Sequence, residues 1–302
     1  MGPGMTWPPR RILVGTDFSE AARAALRSAG AIARRTGAAV DLVHALRGGP
    51  ELVTGYEPLD ALLLRTPDPA RARAHVESQL AELAKDLDPV AVKSHVVRGE
   101  AAAEIVALRE LQRADLVVLG AVGLRGLRRF VLGSVADRVL RRPGCPLLLV
   151  KNAPPTGELK TIVVAQEYPD RPTPWLELAL RLAHAERSEL VVLHVLPPPG
   201  YASDAHHVDL EPKRAPEKLE RLVAQLDATV PVRIETRRGD AAHLIATVSA
   251  QLGADLLVIG AERNADGWPG RVTDRVARAG LPALLVVWPE AETEEEFEGE
   301  ET

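Results

Sequence analysis

The stretch from residue 120 to residue 134 has the residue types best suited to chemistry, and it is built around glycines. Gly120 and Gly123 stand three residues apart, nine residues follow, and Gly133 and Ser134 then open an amphipathic segment. Glycines let a backbone approach a phosphate closely, and a helix starting at Gly133 presents free N–H groups at its positive dipole end. Because the Ser134 hydroxyl can donate to a phosphate oxygen, this spacing predicts an anion site.

The same residues also fit a structural interpretation. Gly120 would end a strand, Gly123 and Gly126 would fill a turn, and Ser134 would cap a helix. Arginines within and after the loop suit either a clamp over a triphosphate or, as we favour, a solvated face; they are Arg125, Arg128, Arg129, Arg138, Arg141 and Arg142.

An internal repeat defines the elements that must position this loop. Five segments of the first half recur in the second half at offsets of 150, 140 and 137 residues: 11–17, 42–46, 97–102, 114–120 and 133–139. The repeat predicts a first copy at residues 10–151 and a second copy at residues 159–288, joined by a linker that contains two prolines and a glycine.

Short aliphatic runs alternate with amphipathic stretches in each copy, and each copy ends in an aliphatic run. Near-continuous apolar runs such as 116–119 and 147–150 are typical of a parallel sheet covered by helices on both faces. The sequence therefore predicts an α/β fold, with two Rossmann-like, doubly wound parallel-sheet domains in tandem. Such sheets bind ligands beyond the carboxyl ends of their strands, so the loops after Gly15, Ala45 and Gly120 are the expected site.

The spacing Gly-x2-Gly-x9-Gly-Ser at this place in the fold resembles the ATP-binding motif of the universal stress protein family. The segments 14–19, 42–46 and 144–150 resemble the family's first, second and closing strands, so the resemblance covers nearly the whole first copy. It implies an adenine nucleotide alpha hydrolase-like fold that binds ATP, with or without Mg²⁺. The ligand-binding residues would be Thr16, Asp17, Ala45, Gly120, Gly123, Gly133, Ser134 and Val135.

The resemblance also implies a role for each part of the site. Asp17 would hydrogen-bond the adenine-ribose part, the backbone at Ala45 would meet the adenine edge, and the glycines with Ser134 would wrap the phosphates. It further implies that the two copies form an intramolecular pseudo-dimer through their last strands, 147–150 and 284–287. Whether two chains then form a homodimer stays open.

The second copy departs from this pattern. Glu167 replaces Asp17, and arginines replace the second glycine and the serine, at positions 263 and 271. Its loop is three residues shorter and contains Pro269. We expect this copy not to bind ATP in the same way, because a larger side chain intrudes where the backbone must approach the ligand. The alternative is that the two arginines hold a different anion.

Composition excludes several classes of protein. The chain has 302 residues, of which 46% are hydrophobic and 26% charged, and no apolar run approaches the ~18 residues of a membrane span. The single cysteine, Cys145, excludes an internal disulfide or a multi-cysteine metal cage. The net charge is −5, with an acidic tail at 289–302 that we expect to be disordered, and neither the charge nor the 3% aromatic content indicates a nucleic-acid binder. We expect a cytoplasmic protein.

No catalytic constellation is recognisable, since the chain has no P-loop, no Gly-x-Gly-x2-Gly after the first strand and no Gly-x-Ser-x-Gly elbow. Beyond Asp17 no base can be argued, so hydrolysis should be slow. The favoured hypothesis is an ATP-binding stress-response or signalling module. A nucleotide-independent interaction scaffold and a slow ATPase or transferase are the alternatives.

Four further features favour structural interpretations. His44 and His194 recur at one strand position and lack metal-ligand partners at suitable spacing, so we expect them to be structural. Cys145 precedes an aliphatic strand and is given no role. The repeated pair Asp137-Arg138, which recurs at 274–275, is interpreted as an exposed ion pair, with interdomain pairing as the alternative.

Overall fold

The computed structural model describes residues 7–46, 69–122, 132–142, 144–152, 158–167, 170–198, 214–226, 229–261 and 269–289. Within these residues, the first copy contains β1 (Arg11–Gly15), α1 (Glu20–Thr36), β2 (Ala39–Leu46), α2 (Pro69–Lys85), β3 (Val92–Arg98), α3 (Ala101–Gln112), β4 (Leu116–Gly120), α4 (Ser134–Leu140) and β5 (Leu147–Val150). The second copy contains β6 (Thr161–Ala165), α5 (Pro174–Glu186), β7 (Glu189–Leu196), α6 (Ala215–Gln225), β8 (Val232–Arg238), α7 (Ala241–Gln251), β9 (Leu256–Gly260), α8 (Arg271–Ala277) and β10 (Ala283–Val287).

All ten strands form one sheet in the order β3-β2-β1-β4-β5-β10-β9-β6-β7-β8. Neighbouring strands are parallel within each copy, and β5 meets β10 antiparallel, with Leu148 opposite Leu285. The predicted doubly wound α/β fold is therefore confirmed, and the last strands of the two copies pair as predicted. This junction covers two aliphatic edges that would otherwise be open to other chains.

Helices cover both faces of the sheet. One core cluster lies under α1, α2, α5 and α6, and the other under α3, α4, α7 and α8; both clusters draw residues from the two copies. The strands between them are aliphatic on both faces, as β5 shows with four buried residues in succession. This arrangement leaves the ends of the strands as the places where loops can meet a ligand.

Helix α1 packs closely on the sheet because its buried side is made mostly of alanine. Ser19 begins the helix by accepting a hydrogen bond from the Ala22 N–H at 3.1 Å, and Gly37 ends it with φ of 74°. Small side chains bring the start of α1 against the end of β4. A Cβ added at Gly120 would lie 2.9 Å from both the Ala21 carbonyl carbon and the Ala22 nitrogen. The glycine at position 120 is thus required by packing, whatever the loop beyond it binds.

Gly120→Ala should therefore destabilise the protein by about 2–3 kcal/mol, because the atoms it meets are backbone and the whole start of α1 must shift. Gly270→Ala is the control, since a Cβ at that glycine meets nothing within 4 Å and the change should stay below about 1 kcal/mol. Urea denaturation followed by circular dichroism measures both. Equal losses in the two variants would show that the contact with α1 is not what requires the glycine.

Two ion-paired arginines join the copies on the face covered by α4 and α8. Arg278 donates to Asp137 at 2.5 Å and to Asp274 at 2.9 Å, and Arg141 donates to Asp137 at 3.0 Å. Arg141 also lies 3.9 Å from Asp274. The repeated aspartates thus pair across the junction between copies, and the prediction of simple exposed Asp-Arg neighbours was wrong. The partners are Arg141 and Arg278, each four residues after the aspartate of its own copy.

Candidate functional site

The turn between β1 and α1 presents Asp17 and is held by its own side chains. The Thr16 hydroxyl accepts a hydrogen bond from the Phe18 N–H at 3.0 Å, and Asp17 Oδ1 accepts one from the Ser19 N–H at 3.0 Å. Phe18 has φ of 63°, a left-handed conformation that sharpens the turn. Thr16 is buried, whereas Asp17 is partly exposed. The Asp17 carboxylate therefore sits on a fixed backbone with access to the solvent.

His44 fixes this turn from the neighbouring strand. Its Nδ1 donates to the Thr16 carbonyl oxygen at 2.8 Å, and its ring lies 4.8 Å from the Phe18 ring, centroid to centroid. His194 makes the same bond to the Gln166 carbonyl oxygen at 2.9 Å in the second copy. The predicted structural role of the two histidines thus consists of holding the residue that precedes Asp17 or its counterpart. In the sequence, this structural role was indicated by the recurrence of the two histidines at one strand position.

Ala45 lies where β2 runs past the end of β1. The pairing of β1 with β2 ends at Gly15 and Val43, and the Thr16 N–H then donates to the Val43 oxygen at 2.9 Å. Ala45 itself is paired on its other side, opposite Val97 of β3. The edge of Ala45 that faces β1 is thus outside the strand pairing, as an edge that met a planar ligand would need to be.

The loop after β4 starts and ends at one point. The Ala121 N–H donates to the Val150 oxygen and the Gly133 N–H donates to the Ala121 oxygen, both at 2.8 Å. These two bonds hold the ends of the loop together at the end of the sheet. Gly123, the three arginines at 125, 128 and 129, and Gly126 lie in segment 123–131, outside the described residues.

Helix α4 opens with Gly133 as its cap and makes no side-chain capping bond. Ser134 is its first residue and is exposed, and Val135 follows, half buried. The interpretation of Ser134 as a helix cap was therefore wrong, because the capping position belongs to the residue before it. The Ser134 hydroxyl stands at the same place as the first-turn N–H groups of the helix.

The structure brings seven of the eight predicted binding residues to one edge of the sheet, which we call the carboxyl edge of the first copy. Strand β1 lies between β2 and β4, and strands are spaced about 4.8 Å apart. The ends of the three strands, with Asp17, Ala45 and Gly120, are therefore neighbours, and α4 begins beside the last of them. Gly123 alone lies outside the described residues.

Arg138 of α4 and its counterpart Arg275 of α8 each bind the carboxylate that caps a neighbouring helix. Arg138 lies 2.9 Å from Glu100, which caps α3. Arg275 lies 2.7 Å from Asp240, which caps α7 by accepting from the His243 N–H. Sequence reasoning did not identify these capping partners, although Glu100 and Asp240 recur within the repeat.

Both capping carboxylates have lowered pKa values. At Glu100, desolvation raises the pKa, but hydrogen bonds from the Ala103 and Ala102 N–H groups and from Arg138 outweigh it. At Asp240 the hydrogen bond from Arg275 is the largest cause of the lowered pKa. A carboxyl whose pKa is lowered by folding stabilises the native state above its unfolded value and loses that contribution as the pH falls through the folded value.

Asp240→Asn should therefore flatten the dependence of stability on pH on the acid side, below about pH 4. The amide still accepts from the His243 N–H but does not titrate, so protonation no longer removes a charge pair with Arg275. Urea midpoints measured at intervals from neutral pH to about pH 2 check this. Identical slopes for the variant and the unaltered protein would contradict the prediction.

The turn after β6 in the second copy is longer than its counterpart in the first. Gln166 is buried, and its side chain accepts from the Thr173 hydroxyl at 2.7 Å and donates to the Arg171 oxygen at 3.0 Å. Thr173 then caps α5, seven residues after Gln166, whereas Ser19 caps α1 three residues after Thr16. Glu167 is exposed at the start of this longer turn.

A tryptophan occupies the space between helix and strand in the second copy. The Trp175 indole donates to the Ala165 oxygen at 3.0 Å, and its ring would lie 2.5 Å from a Cβ placed on Gly260. The Thr273 hydroxyl donates to the Gly260 oxygen at 2.7 Å. Arg271 is exposed at the start of α8, and position 263 lies outside the described residues. The two copies thus share their strands but differ at the edge where a ligand would sit.

Three further properties of the described residues bear on function: the grouping of metal-ligating side chains, the length and hydropathy of the helices, and the reactivity of the Cys145 thiol. In the described part of the chain, no three His, Cys, Asp or Glu residues are grouped so that they could hold a metal ion. No helix in that part is both long enough and apolar enough to cross a membrane. Burial raises the pKa of the Cys145 thiol to about 12, which keeps the sulfur protonated at neutral pH.

Comparison with known proteins connects this fold to a family. The model of the Universal stress protein family matches residues 9–151 and again residues 158–287. A universal stress protein of Methanocaldococcus jannaschii is 32% identical over 148 residues, which cover 47% of this chain and 82% of that protein. A second protein of that name from the same organism is 28% identical, over 47% of this chain and 94% of its own length.

Structural comparison extends the likeness to the whole chain. A universal stress protein of Archaeoglobus fulgidus superposes with a TM-score of 0.68, covering 92% of this chain and 98% of that one, at 18% sequence identity. At this identity the likeness concerns the fold. Because the family model matches twice and its two matches take up most of the sequence, the chain belongs to the universal stress protein family and carries two family units in tandem.

Proposed function

We propose that the first copy binds ATP at its carboxyl edge and that the protein acts as a nucleotide-occupied stress-response or signalling module. The observation that supports this best is the meeting of Asp17, the unpaired edge of Ala45 and the closed loop after Gly120 at three adjacent strand ends. The described ends of the motif, Gly120 and Gly133-Ser134, support the proposal because a doubly wound sheet binds ligands at this edge.

Each part of the edge offers a different chemistry. The Asp17 carboxylate is an acceptor for ribose hydroxyls, and the outer edge of Ala45 supplies backbone groups to the adenine ring. Gly133, Ser134 and the N–H of Val135, at the start of α4, would meet the phosphates, and any Mg²⁺ would accompany them. Gly123 is assigned to the phosphates on the motif alone. Thr16 contributes by fixing the turn.

We propose that the second copy pairs with the first and has no equivalent nucleotide site. The Trp175 indole packs against Gly260, and Thr273 ties the end of β9 to α8. Glu167 begins a turn four residues longer than the one that presents Asp17. We also propose domain limits of 10–151 and 159–288, in which the second copy pairs with the first as a pseudo-dimer through β10 and β5.

We infer binding with little or no turnover, because Asp17 is the one carboxylate of the carboxyl edge for which a role at the ligand can be argued. Its Oδ1 already accepts a hydrogen bond from the Ser19 N–H, and His44, the histidine at this turn, is buried with its Nδ1 bonded to the Thr16 oxygen. A ribose acceptor is thus a better description of Asp17 than a general base.

Identification of the ligand in freshly purified protein tests the proposal directly. Mass spectrometry of the denatured supernatant should detect ATP or another adenine nucleotide, and calorimetry with Mg-ATP on nucleotide-free protein should give one site per chain. Two equivalent sites would contradict the assignment of binding to the first copy. No heat of binding with excess Mg-ATP would leave the interaction scaffold as the better description.

A further inference from the structure

A cavity lies at the junction of the two copies, away from the carboxyl edge. It has a volume of about 560 Å³ and opens between α1 and α5, and we call it the seam cavity. Its floor is aliphatic and is drawn from the four central strands: Leu116, Leu148, Leu256, Ala283 and Leu285. All five side chains are buried, so the floor offers an occupant no polar group from a side chain.

The walls explain why the two helices leave this space open. Ser28 and Ala31 are the small residues of the α1 wall, whose apolar members also include Ile32. Leu182 holds the place on α5 that corresponds to Ile32 on α1. Small side chains on one wall fail to fill the gap over the β5–β10 junction. A volume of this size lies within the about 300–1,000 Å³ of typical small-molecule sites.

The mouth of the cavity is positively charged. Arg23, Arg27 and Arg34 are spaced four and seven residues apart, which places them along one side of α1, and all three are exposed. With Arg35 they make four arginines in the lining, against two carboxylates. Among the described residues the side chain of Arg23 makes no ion pair or hydrogen bond, and that of Arg27 pairs only with the exposed Glu20 at 3.1 Å.

Glu186, one of the two carboxylates of the lining, lies in a poorly hydrated part of the mouth. Glu186 of α5 is 6% exposed and accepts from Arg35 of α1 at 2.8 Å, across the junction. Desolvation raises the pKa of Glu186 even though the arginine lowers it. The inner end of the mouth is thus a poorly hydrated environment, in which an apolar chain is favoured over water.

We propose that the seam cavity binds a monomeric amphiphile with a single unbranched alkyl chain and a carboxylate headgroup. The chain would lie on the aliphatic floor, and the headgroup would meet the arginine row at the mouth, near Arg23 and Arg27. Dispersion and desolvation of the chain supply affinity, and charge-assisted hydrogen bonds select the anionic head. This site is independent of the proposed nucleotide site.

A series of alkyl carboxylates tests the apolar part of the proposal. Octanoate, decanoate and dodecanoate, measured by calorimetry below their micelle concentrations on the full chain, should bind with an affinity that rises about fourfold per methylene, which corresponds to ~0.8 kcal/mol. Trp7 lines the cavity, so its fluorescence should change on binding. An affinity that does not depend on chain length would overturn the proposal.

The headgroup is tested by comparing dodecanoate with dodecanol. The alcohol should bind about tenfold more weakly, because a charge-assisted hydrogen bond is replaced by a neutral one. Arg27→Glu should reduce dodecanoate affinity similarly. Arg221→Glu is the matched control, since Arg221 is an exposed arginine of α6 that pairs with an acid one turn away and lies outside the lining. Equal effects of the two variants would show only a change of net charge and would overturn the site.

Ala31→Phe tests the location by filling the cavity. Dodecanoate affinity should fall by more than about tenfold, while circular dichroism confirms folding; where this variant does not fold, Arg27→Glu on the exposed side of α1 still decides the question. Asp17→Ala should leave dodecanoate binding unchanged, because that residue belongs to the other site. Retained affinity in a folded Ala31→Phe variant would place the amphiphile elsewhere and contradict the proposal.

Discussion

Asp17→Ala is expected to weaken ATP binding by about 10- to 100-fold. The carboxylate of Asp17 is the charged acceptor of the carboxyl edge, and a hydrogen bond to a charged group contributes about 1.5–3 kcal/mol. Titration calorimetry with Mg-ATP on nucleotide-free protein measures the change. Asp17→Asn should lose less, because its amide oxygen still accepts from the Ser19 N–H while the charge is gone.

Glu167→Ala is the matched control, because Glu167 holds the position of Asp17 in the second copy. It should leave ATP affinity unchanged, since the longer turn and the Trp175 indole give that copy a different edge. Both variants should keep the melting temperature of the unaltered protein within a few degrees, because Ser19 and Thr16 still hold the turn in the first copy. The same loss of affinity in both, or in neither, would contradict binding by the first copy.

The fold could be predicted from the sequence because its signals are local and repeated. Buried parallel strands have aliphatic runs in their sequence, and because of the repeat each run occurs once in each copy. The pairing of β5 with β10 followed from the family resemblance together with the aliphatic edges that these strands would otherwise expose. None of this required knowing which distant side chains would meet.

The turn of the second copy shows where the sequence comparison failed. The offset of 150 residues is the same at β1 and at β2. The turn and helix between these two strands therefore seemed to have the same lengths in both copies. In the structure the turn gains four residues, and α5 has 13 residues where α1 has 17. An insertion and a deletion of equal length cancel in the offset, and the replaced helical turn brings Trp175 against Gly260.

Long-range partners could not be predicted for a different physical reason. Asp137 meets Arg278, which is 141 residues away, and His44 meets the carbonyl of Thr16 on another element. Spacing along the chain reports partners on the same helix or strand but not those brought together by packing between elements. The motifs therefore predict which edge of the sheet matters, and the side-chain contacts at that edge come only from the structure.

A buried aspartate in the first copy has no counterpart in the second. The Asp41 side chain is 1% exposed, and its two oxygens accept from Arg11 at 2.9 Å and from His95 at 2.6 Å. The equivalent residue of the second copy is Val191, which is also buried. The same place in the sheet thus accommodates either a paired carboxylate or an aliphatic side chain.

The double variant Arg11→Met/His95→Leu should therefore lose about 3–5 kcal/mol of stability, because it leaves the Asp41 carboxylate buried without either partner. Adding Asp41→Val, the residue of the second copy, should recover most of that loss by removing the unpaired charge. Urea denaturation of the double and triple variants measures both steps. The double variant could instead lose less than about 1 kcal/mol, or valine could give no recovery. Either result would show that Arg11 and His95 do not stabilise the protein by offsetting the desolvation of the Asp41 carboxylate.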